Sequence, residues 1–230
     1  MFQHYDIMVI APHPDDPEFG AGGTVAKWTA EGRTTIYIIC TNGNKGTEDP
    51  DMTPEKLSAI RKEEQKEAAR ILGVSQVIFL EYDDQTLEDT ADFRKEIVRY
   101  IRMHTPYIII APDPYRRYIW HRDHRITGQV VLDAVFPYAR DRLAYPEFIT
   151  AGLQPHKVKE VLLFGSESPN YYVDVHATFQ LKISALYCHK SQVAKFQPDW
   201  EENYKKMLAK LGESCNYELA EAFYRVILPP

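Results

Sequence analysis

Ile108-Ile109-Ile110 is the run that most restricts what this chain can fold into. It lies inside Tyr107–Ala111, a segment with no polar residue at alternate positions. Successive side chains of a strand point to opposite faces, so a strand made from this run is apolar on both. Such strands belong to parallel sheets covered by helices on each side. Thr35–Cys40 is β-branched and apolar in the same manner, and Ile7–Ile10 forms the apolar part of a first strand at residues 5–10. Gln76–Leu80, Lys159–Phe164 and Tyr171–Val175 add three further strand signals.

Helical patterns separate these strands. Gly20–Gly32 carries Val25 and Trp28 on one face and ends in a glycine suited to a C-cap. Pro54–Leu72 is amphipathic, with Thr53 as N-cap, Pro54 at the first helical position and Gly73 beyond the end. Asp89–His104, Asp174–His189 and Pro198–Leu211 follow the helical period, and the tail to Pro230 is expected to be helical too. Strand–helix alternation predicts an α/β fold, with a parallel sheet and right-handed crossovers. Two stretches stand outside it. Thr41–Pro54 is a polar loop and a candidate lid; residues 136–157 are rich in aromatics and proline, and are expected to wall a pocket or meet a neighbouring subunit.

Composition limits the function classes. The chain has 230 residues, 44% apolar and 26% charged, which suits a single domain over residues 1–230. A net charge of −6 leaves no basic footprint for nucleic acid. No apolar run reaches the roughly 18 residues of a membrane span, and the N-terminus shows no signal-peptide pattern. Cys40, Cys188 and Cys215 are widely spaced and odd in number, which points to a reducing compartment, the cytoplasm. Cys188 adjoins His189 but is taken as a buried apolar residue, because adjacent side chains point apart.

The chemistry concentrates where two central strands end. After Ile10 comes Pro12-His13-Pro14-Asp15-Asp16-Pro17-Glu18, stiffened by three prolines. After Ala111 comes Tyr115-Arg116-Arg117-Tyr118-Ile119-Trp120-His121-Arg122-Asp123-His124. Both clusters leave C-terminal strand ends, which is the ligand-binding rim of an open α/β sheet. An imidazole among carboxylates favours a cation. His13, Asp16 and His124 supply three protein ligands, and three ligands leave the open position of a catalytic site. Zinc lowers the pKa of water held there from about 15.7 to about 7. Asp15 is then the candidate general base, and His121 the group that stabilises an oxyanion or protonates a leaving amine. Asp123 is the natural N-cap of the helix that follows, and a candidate to orient the His121 ring. Arg61 lies three residues before Glu64, so two readings stand: a structural pair on one helix, or an arginine reaching the site.

These motifs together resemble the PIG-L/LmbE-like family of zinc-dependent de-N-acetylases. The resemblance rests on Pro12 to Glu18, Gly22-Gly23-Thr24 and His121-Arg122-Asp123-His124, with Arg61-Lys62-Glu63-Glu64, Leu72-Gly73-Val74 and His189-Lys190-Ser191-Gln192 in support. It implies a Rossmann-like three-layer sandwich with a mostly parallel central sheet. It implies one Zn2+ on His13, Asp16 and His124, with Asp15, His121 and Asp123 as the catalytic set. The substrate implied is a small N-acylated amino sugar of the N-acetylglucosamine type, contacted by Arg61, Tyr118 and His189, in an enzyme that assembles as a homo-oligomer. Arg122 departs from the family's usual proline, and two readings follow: a less stiff loop, or an arginine that binds an anionic substrate. Tyr115, Tyr118 and Trp120 either stack on a sugar or pack their loop.

Three rivals remain. A dinucleotide-binding domain would use Gly20, Gly22 and Gly23, but G-x-G-x-x-G is not met and the carboxylates would face a pyrophosphate. A non-haem iron oxygenase shares the two-His, one-carboxylate set. A non-catalytic metal-bearing sugar-binding module would keep the ligands without needing Asp15 or His121.

Overall fold

The structure, a computed structural model, describes residues 3–230. In chain order its main elements are β1 (Ile7–Ala11), α1 (Asp16–Ala30), β2 (Thr35–Thr41), α2 (Pro54–Ile71), β3 (Gln76–Tyr82) and α3 (Ala91–His104). There follow β4 (Ile108–Pro112), α4 (Arg122–Asp133), α5 (Pro146–Thr150), β5 (Glu160–Phe164) and β6 (Tyr171–Asp174). The chain ends with α6 (Phe179–Leu186), α7 (Lys190–Val193), α8 (Trp200–Gly212) and β7 (Ala220–Ile227). The strands form one seven-stranded sheet in the order β3-β2-β1-β4-β5-β7-β6. β3, β2, β1, β4 and β5 run parallel, and β7 runs antiparallel to both its neighbours.

The apolar runs account for the layers. Ile7, Val9 and Ala11 face one core, shared with Val25 and Trp28 of α1, Ala68 of α2 and Ile183 of α6. Met8 and Ile10 face the other, with Ile97 and Ile101 of α3 and Val130 and Val131 of α4. Helices thus cover both sides of β1 and β4, every residue of which is buried. The mostly parallel three-layer α/β architecture is as expected. Among the described residues, no helix is long and apolar enough to cross a membrane.

Helix ends follow their local chemistry. Thr53 caps α2 by accepting from the Lys56 amide, and Gly73, at φ +75°, turns the chain out of it. The glycines of α1 allow close packing: a Cβ on Gly23 would lie 2.8 Å from Val175, and one on Gly20 2.6 Å from the Phe164 ring. Residues 136–157 pack on the second core through Ala139, Phe148 and Leu153, and leave Phe136 and Leu143 exposed.

The tail is a correction. It forms β7, not a helix, and fills the gap between β5 and β6. Ala220-Glu221-Ala222 favours helix locally, but the open edges of two strands supply backbone partners that outweigh propensity. β7 also carries Glu221 into the core, where its carboxylate pairs with the fully buried Lys182 of α6. Glu221 accepts from the amides of Gly23 and Thr24 at 2.8 and 2.7 Å, while the Lys182 ammonium donates to the Phe19 carbonyl at 2.9 Å. This pair locks β7 and α6 onto α1. Removing one partner strands a buried charge, so Glu221→Ala is expected to lower unfolding free energy by about 3–5 kcal/mol. Lys182→Met combined with Glu221→Leu is expected to recover much of that loss. Urea denaturation of the three proteins checks this; equal midpoints for Glu221→Ala and the parent would refute it.

Candidate active site

Three loops meet at the C-terminal rim of the parallel strands. The first joins β1 to α1. His13 is almost wholly buried, and Asp16 opens α1. The Asp16 carboxylate accepts from the His13 amide at 2.9 Å, and the same oxygen lies 3.0 Å from His13 Nδ1. Asp15 occupies the N-cap position at φ +98°, a left-handed conformation that costs a non-glycine residue about 1–3 kcal/mol. Among the described residues, its side chain caps no helix amide. It turns instead to Arg61, whose Nη2 lies 3.2 Å from Asp15 Oδ2.

The second loop joins β4 to α4. His121, not Asp123, is the N-cap residue of α4. His124 Nε2 lies 3.1 Å from Asp16 Oδ1, so the Asp16 carboxylate bridges two imidazoles. One donor atom each from His13, Asp16 and His124 falls within 4.8 Å of the others.

The third loop follows β3 and brings Asp84, a residue the sequence reading did not single out. Its Oδ1 lies 3.0 Å from His13 Nε2 and 3.9 Å from His121 Nε2. Asp123 joins it: its Oδ2 lies 3.1 Å from His13 Nε2 and accepts from the Gln85 amide at 2.7 Å. Asp123 therefore faces His13 with its carboxylate. What meets His121 is its backbone amide, which donates to Nδ1 at 3.1 Å. That contact leaves the His121 proton on Nε2.

The charges respond to this crowding. Burial opposes protonation of His13, but hydrogen bonds that its ring donates to Asp123, Asp16 and Asp84 outweigh it and hold its pKa well above the ordinary value. Burial also works against ionised Asp16, yet His124 and His13 hold it far below the usual carboxylate range. Burial pushes Asp15 up to about 6, opposed by Arg61 and assisted by the charge of Asp16. For His121, burial and then the neighbouring His13 favour the neutral ring. The polypeptide thus gathers four carboxylates, Asp15, Asp16, Asp84 and Asp123, around the guanidinium of Arg61.

A cation fits the donor set. Two imidazoles and a carboxylate suit zinc and other divalent transition ions. The buried His124 Nδ1 has no hydrogen-bond partner among the described residues, as expected of a group arranged for something besides its neighbours.

The remaining sequence candidates take different places around this rim. Arg61 reaches the site: besides Asp15 it binds the carbonyls of Pro14 and Gly43, while Glu64 goes elsewhere, to Ser191. His189 does not face a cavity. It is fully buried, with Nε2 on Glu18 Oε2 at 3.0 Å. Tyr118 stands at the loop tip, 87% exposed, and its carbonyl accepts from Arg125. Trp120 is the aromatic beside the site, 4.3 Å from the His124 ring and held by a bond from its Nε1 to the Asp113 carbonyl. Arg122 pairs with Glu88 on the surface. Cys188 is half-buried at the edge of the first core, its thiol on the Ser184 carbonyl.

A cavity of about 500 Å³ opens beside Asp16 and His124, walled by Phe19, Trp120, Phe164 and Met207. Among the described residues, none of 136–157 lines it, which separates that excursion from the pocket. Asp84 had a visible signal: Asp83-Asp84-Gln85 also follows a predicted strand on the same rim. Gln65, whose Oε1 accepts from the Asp15 amide at 2.9 Å, had only its helical phase: it lies four residues after Arg61, on the inner stripe of α2.

Fold and site define a Rossmann-like α/β protein with a His/Asp cluster on the ligand-binding rim. Residues 8–135 match the family PIG-L: GlcNAc-PI de-N-acetylase, and the chain belongs to that family. It is 35% identical over 219 residues to the diacetylchitobiose deacetylase of Thermococcus kodakarensis, covering 94% of this chain and 80% of that protein. It is 28% identical to the probable N-acetyl-alpha-D-glucosaminyl L-malate deacetylase 2 of Bacillus anthracis, covering 86% of each. The solved N,N'-diacetylchitobiose deacetylase of Pyrococcus horikoshii superposes with a TM-score of 0.90 at 32% identity, covering 96% of this chain and 83% of that one. These relatives support hydrolytic deacetylation of amino sugars.

Proposed function

We propose that this protein is a metal-dependent hydrolase that removes the N-acetyl group of a small N-acetylglucosamine-type conjugate. The observation that carries the reading is the convergence of His13, Asp16 and His124 beside an uncapped, arginine-held Asp15. His13, Asp16 and His124 would hold the ion. When bound, a zinc ion supplies Lewis acidity that polarises an amide carbonyl and acidifies water.

The chain's own groups do the rest. Arg61 holds the Asp15 carboxylate at the site, where it accepts the proton of the attacking water. His121, neutral with its proton on Nε2, donates a hydrogen bond to the oxygen on which charge develops. The proton held by Asp15 passes to the departing amine, so acetate and a free amino sugar leave. Asp123 and Asp84 lie on the far nitrogen of His13, where outer carboxylates orient a ligand imidazole. Trp120 lines the cavity, and a sugar's apolar face stacks on aromatic rings so placed.

Acetate and primary-amine release from N,N'-diacetylchitobiose and N-acetylglucosaminyl malate tests this. The metal-loaded protein is expected to release one acetate per amine, to stop after chelation and to recover with zinc. Stoichiometric metal and sugar binding without amine release would instead favour the non-catalytic module.

A further inference from the structure

His189-Lys190-Ser191-Gln192 has no place in the mechanism above, yet each of its three shorter polar side chains reaches a site-bearing segment. Ser191 binds Glu64 of α2 through its amide and hydroxyl at 2.8 and 2.6 Å. Gln192 Nε2 donates to the Gly46 carbonyl at 3.2 Å, in the loop whose Gly43 holds Arg61. His189 Nε2 meets Glu18 at 3.0 Å.

From Glu18 the contacts continue inward. Gln65 Nε2 donates to both Glu18 oxygens, at 3.0 and 3.1 Å. Gln65 Oε1 accepts from the Asp15 amide at 2.9 Å. His189, Glu18 and Gln65 are all 0% exposed. Three elements distant in sequence thus contribute one sealed chain of polar groups. Its end is the backbone of Asp15, in a left-handed conformation that persists only where surroundings impose it. A purely packing role would be met by apolar side chains without burying a carboxylate.

We propose that Gln65, Glu18 and His189 are positioning residues for Asp15. They impose its backbone conformation and so set where its carboxylate sits, with Arg61 holding the carboxylate itself. This rests on the reading of Asp15 as proton acceptor. Gln65→Met keeps the side chain's length and loses its bonds to Glu18 and to the Asp15 amide. A misplacement of about 1 Å is enough to lower a rate about 100-fold, so kcat is expected to fall by about that factor. KM and bound metal are expected to stay at the parent's values. Gln65→Glu, which sets two carboxylates together, is expected to lose as much. The reciprocal pair Glu18→Gln with Gln65→Glu again sets one amide against one carboxylate and keeps an acceptor for the Asp15 amide, so it is expected to recover part of the lost kcat.

A parental kcat for Gln65→Met overturns the proposal. So does loss of activity in step with folded fraction and metal, without rescue by the reciprocal pair. A crystal structure of Gln65→Met decides it without turnover. Asp15 is expected to leave φ near +98°; an unmoved Asp15 overturns the proposal. A parent that releases no acetate sinks the deacetylase reading instead, and that structure still judges the positioning.

Discussion

Asp15→Asn is expected to lower kcat by about 100- to 10,000-fold while the protein keeps its fold and its metal. The substitution is nearly isosteric, so Arg61 and the α1 terminus keep their places. What it removes is the carboxylate proposed to accept the proton of the attacking water. An aspartate at a helix start ordinarily caps the helix; this one does not, and is drawn to a guanidinium in a strained backbone setting. Metal analysis of purified Asp15→Asn, alongside its rate of acetate release, separates the roles. Loss of the ion together with activity would make Asp15 a ligand and remove it as the base.

The second large effect is expected at His124. His124→Ala deletes one of three proposed ligands and leaves the Asp16 carboxylate with one imidazole in place of two. Outer partners of a metal site are worth about 10–100-fold in affinity. Asp123→Asn is therefore expected to weaken binding within that range, and His124→Ala beyond it, with activity lost at ordinary zinc concentrations. Competition with a chromogenic chelator measures both. If His124→Ala held the ion as firmly as Asp123→Asn, the ligand set would have to be redrawn around His13, Asp84, His121 and Asp123, the other cluster of suitable donors at this rim.

The two clusters were legible because each strand before them is purely apolar. Apolar runs have one stable place in a sheet, the centre, and the polar residues that follow then have only the rim. Arg61 was half legible: its helical phase placed it near the inner stripe, but not which partner it would take. Glu64 lies on the same helix, and the fold sends it to Ser191 instead. Asp123 shows the limit at finer scale. Its neighbour His121 is near in sequence, yet the first turn of α4 aims the carboxylate at His13 and leaves only the amide for His121. The tail misled for another reason. Alanine and glutamate favour helix, and nothing local reveals that two strand edges wait nearby.

Periodicity and punctuation in the chain were enough to determine a parallel sheet sandwiched by helices, and a proline-stiffened His/Asp cluster at its rim. Those features depend on neighbours a few residues apart. The three-dimensional fold alone decided the strand order, the place of β7, the entry of Asp84 and the buried path from His189 to Asp15. Each of those depends on which distant segments touch. Such contacts are settled by packing and by the need to satisfy every buried polar group, conditions that exist only once the whole chain has closed around them.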